Sequence, residues 1–113
     1  MDDPVLRPAT NEDLSAISGC ARAAYVGYVP RIGREPAPMV ADFAALVAAG
    51  EVHVLVAGGA LAGFIVIRPG AGHLFVENVS VRPDHQGRGL GRRLMAFAEA
   101  AALDRVYLRK KLE

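Results

Sequence analysis

VSVRPDHQGRGLGRRLM, residues 79–95, is the stretch from which the rest of the chain is read. Val79 and Val81 alternate with polar neighbours, as in a half-buried strand, and Pro83 ends the run. Gly87, Gly89 and Gly91 follow at alternate positions, with Arg88, Arg92 and Arg93 around them. Leu90, Leu94, Phe97, Ala98 and Ala101 then recur on one helical face. The stretch is therefore a strand-to-helix junction built on glycine and arginine. A helix N-terminus leaves its first backbone N–H groups unpaired and carries about half a positive charge. It holds an anion well when the anion can approach the backbone. Glycines permit that approach, and arginines add donors for phosphate oxygens. The residues alone leave two readings open: a phosphate or pyrophosphate site, or a tight turn beside a solvated basic face.

Working outward, VLRP (5–8) reads as a first strand, and Thr10 caps a helix with Asp13 three residues on. Leu14, Ile17, Ala21, Ala24 and Tyr28 carry that helix over roughly 11–28. PRIGREPAP (30–38) is a loop, and MVADFAALVAAG (39–50) is a second helix stopped by Gly50. EVHVLVA (51–57) is a strand, Gly58-Gly59 a two-residue hairpin turn, LAGFIVIRP (61–69) the returning strand and HLFVENVSVRP (73–83) a third long one. The last helix is expected over 90–103, and RVYL (105–108) reads as a closing strand. The order β-α-α-β-β-β-α-β predicts one α/β domain over 1–113, with a mixed sheet. In it an antiparallel meander feeds a crossover helix and a parallel strand.

Composition narrows the function classes. The 113 residues are 52% hydrophobic and 22% charged, the balance of a globular domain. A net charge of +1, with no aromatics interleaved among the arginines, argues against nucleic acid as a partner. No apolar run approaches the roughly 20 residues that span a membrane, and the N-terminus lacks a signal-peptide pattern. Cys20 is the single cysteine, so a cytoplasmic protein without an intramolecular disulfide is expected. No metal-ligand spacing stands out. Two phosphate motifs fail: no lysine follows the glycines as in a P-loop, and Arg92 occupies the third glycine's place in a dinucleotide fingerprint.

A third motif fits. Gln86-Gly87-Arg88-Gly89-Leu90-Gly91 matches Q/R-x-x-G-x-G/A, and ENVSVRPDHQGRGLGRRLM around it resembles the strand-loop-helix core of the GNAT N-acetyltransferases. The element order is similar over nearly the whole chain. The resemblance implies acetyl-CoA as cofactor, with no metal, and transfer of its acetyl group to a small-molecule or peptide amine by direct attack in a ternary complex. It places the CoA pyrophosphate on Gln86, Gly87, Arg88, Gly89, Leu90, Gly91 and Arg92, and the pantetheine arm along the main chain of Val79 and Val81. Val81 takes the position whose N–H polarises the thioester carbonyl, and Glu77 is the candidate general base. Asn78 either orients substrate or satisfies backbone groups at a bulge, and Tyr28 and Arg34 are further candidates for binding a polar or anionic acceptor. The family's next helix, with a tyrosine as general acid, and two further strands have no counterpart after RVYL. A C-terminally shortened member is therefore expected, with a non-catalytic acyl-CoA-binding module or a structural fragment as alternatives. A sheet ending at 105–108 exposes an edge strand, which leads to the expectation of a homodimer.

Overall fold

The glycine pair at 58–59 sets the centre of the sheet. Gly58 and Gly59 adopt φ of +63° and +81°, the conformation a two-residue hairpin turn requires. The turn joins β2 (Val52–Ala57) to β3 (Ala60–Gly70). The computed structural model describes residues 4–25, 42–70 and 73–112; for Tyr25, His73 and residues 103–112 it describes the backbone. β1 (Val5–Pro8) pairs with β2, and β4 (His73–Val81) with β3, giving a four-stranded sheet in the order β1-β2-β3-β4. Every pairing is antiparallel.

Helices cover both faces. α1 (Leu14–Tyr25) follows a single 3-10 turn, Asn11–Asp13, and α2 (Phe43–Ala48) is capped by Asp42, whose carboxylate accepts from the Ala45 N–H at 3.1 Å. These two helices bury Ile17, Cys20, Phe43 and Val47 against Val52, Val54, Phe64 and Val66. Phe43 and Phe64 meet edge to face, with ring centroids 5.4 Å apart. α3 (Leu90–Leu112) covers the other face, where Leu90, Leu94 and Ala98 bury Leu55, Ile65 and Ile67. Each fully buried aliphatic side chain of this kind stabilises the fold by about 1.5–3 kcal/mol. His53 lies half-buried on the α3 side with its ring 4.6 Å from that of Phe97, and burial lowers its pKa.

Two bulges interrupt the ladders. Leu55 pairs with Gly63 but Val56 with Leu61, so Ala62 is an extra residue in β3. Val66 pairs with Asn78 but Ile67 with Val76, so Glu77 is an extra residue in β4. The second bulge changes the phase of the strand. Before it Phe75 lies opposite Arg68, after it Asn78 lies opposite Val66, and all four occupy the α1 face.

The structure corrects the closing strand and, with it, the mixed sheet. Residues 105–108 continue α3, which runs unbroken to Leu112. The order among the described residues is β-α-α-β-β-β-α, with no parallel strand. RVYL suits a strand by local propensity, but no glycine or proline lies between Arg92 and Glu113. Extending an existing helix also escapes the cost of nucleating one. The edge strand on which the homodimer expectation rested is therefore not present. Of the second helix expected over 39–50, residues 39–41 lie outside the described residues, and the described part is Phe43–Ala48; the first α-helix begins at Leu14, after the 3-10 turn, rather than at 11. Arg7 and Asp13 brace that entry: two guanidinium–carboxylate hydrogen bonds of 2.8 and 3.0 Å join them, and the Thr10 N–H adds a third at 2.7 Å. Donation by Arg7, ahead of that by Thr10, holds the Asp13 carboxyl down at about 2.

Candidate functional site

β4 delivers the chain into the glycine turn through a series of local hydrogen bonds. The Arg82 N–H reaches the Ala62 carbonyl at 2.8 Å, extending the β3–β4 ladder one residue past Val81. Antiparallel ladders alternate, so this bond turns the main-chain groups of Val81 and Val79 away from β3. Among the described residues β4 pairs with β3 alone, so those groups line an open edge. A 3-10 turn, Pro83–His85, follows, and the Gln86 side-chain amide folds back to donate to the Val81 carbonyl at 3.1 Å. Gly87 and Gly89 then take φ of +85° and +77°, left-handed values that cost other residues about 1–2 kcal/mol each. α3 starts at Leu90, and the Arg93 N–H donates to the Gly89 carbonyl at 3.1 Å. Helix geometry leaves the N–H groups of Leu90, Gly91 and Arg92 without intrahelical acceptors.

The result is a groove of about 410 Å³ lined by Val79, Val81, His85, Gln86, Gly87, Gly89, Leu90, Gly91 and Arg92. Of the nine residues expected to hold CoA, eight line this groove; Arg88 is exposed beside it. A Cβ on Gly87, Gly89 or Gly91 would meet no atom within 4 Å. These glycines therefore relieve no crowding inside the protein. They leave the amides bare to whatever enters the groove. The side chains of Val79 and Val81 serve the fold as well, packing half-buried against the α3 core.

Two residues of this region carry no signal in the sequence pattern. His85 reads from the sequence as an exposed loop residue, yet its side chain is 19% exposed and lines the groove. Its Nδ1 is buried without a hydrogen-bond partner. Gly63 sits opposite Val81, and a Cβ there would lie 2.6 Å from the Ser80 carbonyl oxygen. Gly63 thus lets β3 and β4 close up directly beneath the groove. Neither position belongs to a spacing rule, since both depend on which strand residues face each other.

The side chains of Glu77 and Asn78 diverge at the bulge. Glu77 is 44% exposed and accepts a 3.1 Å hydrogen bond from Arg68 Nη1. That bond, with the charges of Glu77 and Glu51, raises the Arg68 pKa above its usual value. Asn78 is buried, and its Oδ1 accepts from the Ser80 hydroxyl at 2.8 Å. Tyr28 and Arg34 lie outside the described residues. Cys20 is fully buried, and burial pushes its thiol up to about 11, away from nucleophilic chemistry. No group of metal-ligating side chains occurs among the described residues. No helix among them is long and apolar enough to cross a membrane.

Residues 19–113 match the family model described as the acetyltransferase (GNAT) family. The chain belongs to the GNAT acetyltransferase family. Solved GNAT structures share its fold. PaiA N-acetyltransferase from Thermoplasma acidophilum, in complex with coenzyme A, superposes with a TM-score of 0.79 at 16% identity, over 92% of this chain and 74% of that one. The ribosomal-protein-S18-alanine N-acetyltransferase from Escherichia coli gives a TM-score of 0.70 at 22% identity, over 91% and 61%. A GNAT acetyltransferase from Brucella melitensis, in complex with acetyl-CoA, gives 0.66 at 22%, over 90% and 70%. No curated protein matches the chain in sequence. The GNAT family resemblance read from the glycine turn and the element order is thereby borne out.

Proposed function

We propose that this GNAT chain is an acetyl-CoA-dependent N-acetyltransferase acting on a primary amine, with the groove at 79–92 as its cofactor site. The observation that carries the proposal is the coincidence of three independent features in one groove. These are an open strand edge at Val79 and Val81, two left-handed glycines without neighbours, and the free amides of a helix N-terminus. A diphosphate fits such a donor set, and Arg88 and Arg92 supply outer charge from exposed positions. Bound there, acetyl-CoA would bring an activated acetyl thioester.

The chain's own groups take the remaining roles. The amides of Leu90, Gly91 and Arg92 bind the anion, and Gly87 and Gly89 keep their Cβ positions empty for it. The outward main chain of Val79 and Val81 pairs with an amide-bearing arm as another strand would, and the Val81 N–H is the donor for a developing oxyanion. Glu77, two residues along β4 and half exposed, accepts the proton of the attacking ammonium, directly or through water.

A second reading, an acyl-CoA-binding module without turnover, is supported by one observation: among the described residues, none that line the groove is a tyrosine able to return a proton to the leaving thiolate. One experiment separates the two. Calorimetric titration with acetyl-CoA is followed by thiol release with a panel of primary amines. Binding with thiol release supports the enzyme, binding alone the module, and no binding overturns both.

A further inference from the structure

The bulge is an unusual place for a residue proposed as the proton acceptor. As the extra residue there, Glu77 has no cross-strand partner, and its side chain is 44% exposed. Something other than the ladder has to fix it. Its hydrogen bond comes from Arg68 on β3, whose Nη1 lies 3.1 Å from Glu77 Oε1. Arg68 is itself 51% exposed, and a side chain of that length pays rotamer entropy to stay in one place.

The anchor is on the other edge of the guanidinium. Arg68 Nε lies 3.2 Å from Glu51 Oε2, and the Glu51 side chain is only 16% exposed. Glu51 Oε2 is buried, and this charge contact lacks hydrogen-bond alignment. The main chain of Glu51 is tied on both sides: its N–H donates to the Leu46 carbonyl at 3.0 Å, and its carbonyl accepts from the Ile67 N–H at 2.9 Å. A continuous series of contacts therefore runs from the end of α2 through Glu51 and Arg68 to Glu77.

We propose that Arg68 is a positioning residue for Glu77 and that Glu51 both anchors Arg68 and offsets its charge. The inference rests on the proposed role of Glu77 as the proton acceptor. An unopposed guanidinium would hold Glu77 in a tight ion pair and repel an incoming ammonium. With Glu51 on its other edge, the three side chains carry one net negative charge, which attracts an ammonium to Glu77 rather than repelling it. Proton transfer leaves the attacking amine neutral and Glu77 protonated, while Arg68 keeps its charge throughout.

The test is a double-mutant cycle on the full chain with Arg68→Met, Arg68→Lys, Glu51→Gln and Glu77→Gln. Arg68→Met should lower kcat about 10-fold while leaving acetyl-CoA affinity unchanged, and Arg68→Lys should recover part of the loss. In the Glu77→Gln background the same Arg68→Met change should have no further effect on kcat. Equal losses in both backgrounds would overturn the proposal, because Arg68 would then act by another route. A second readout needs no turnover: the Arg68 Nη1–H resonance, which donates to Glu77, should exchange slowly with water in the wild-type chain and faster in both Glu77→Gln and Glu51→Gln. Fast exchange in the wild type would also overturn the proposal. Acetyl-CoA bound without thiol release would count against the transferase reading alone, and the resonance would then decide for Arg68.

Discussion

The two halves of β4 build their sites from different materials. The carboxyl half, Val79 to Val81 and the turn beyond, offers chiefly main-chain groups: its glycines carry no side chain, and Val79 and Val81 turn theirs toward the core. The amino half, up to the bulge, offers side chains: Glu77 and Phe75 are exposed, and Arg68 reaches Glu77 from the neighbouring strand. A site made of amides is set by backbone conformation, and it tolerates no Cβ where the ligand must come close. A site made of side chains is set by register, and it depends on contacts between distant parts of the sequence. Substitutions in one half should therefore leave the function of the other half standing.

The largest expected effect comes from the amide site. Gly89→Glu should weaken acetyl-CoA binding about 100-fold or more, because it adds strain at φ +77° and points a carboxylate at the anion's place. Helix content should be largely unchanged, which circular dichroism beside calorimetry would establish. Undiminished affinity would remove the groove from the cofactor assignment.

At the other half, Glu77→Gln should lower turnover about 100-fold at neutral pH and leave acetyl-CoA affinity near that of the wild type. The loss should shrink at alkaline pH, where more of the amine acceptor is already deprotonated. If affinity and turnover fell together, the two halves would not be separable. A third substitution strikes the strand pairing between them. Gly63→Ala forces a Cβ to within 2.6 Å of the Ser80 carbonyl and should cost about 1–3 kcal/mol in urea unfolding. It should also weaken acetyl-CoA binding, since β4 must shift beneath the groove.

The smallest effect is a control outside both halves. Asp13→Asn removes the brace between Arg7 and the start of α1 and should cost ~1 kcal/mol, a figure reduced for the solvent screening of Arg7, which is 42% exposed. The Asp13 carboxyl is lowered from an ordinary value near 3.8 to about 2 in the folded chain. Its contribution is therefore complete above pH ~4 and is lost as the pH falls towards 2. Stability curves of the wild type and Asp13→Asn should converge in acid, with acetyl-CoA binding equal at neutral pH.

Legibility in the sequence follows the same division. The glycine turn, the Gly58-Gly59 hairpin and the Leu90 helix face are local patterns, and each lies where the residues placed it. Glu77 is visible as a charge in an apolar run, but its place at a bulge and its partner Arg68 are matters of register. Gly63 looks like any glycine in a strand until Ser80 is set against it. RVYL misleads for the opposite reason: its local preference is for strand, and the helix already running through Ala101 overrides it.

The bulge at Glu77 has one further consequence. Removing this single residue would leave Val76 opposite Ile67 and Asn78 opposite Val66, the pairs they already form. No other side chain on β4 would change faces. The ladder pairs on either side do not involve Glu77, so the strand pairing does not dictate its identity. A chain lacking that residue should fold with its glycine turn intact and serve as the cleanest background in which to ask what the carboxylate does.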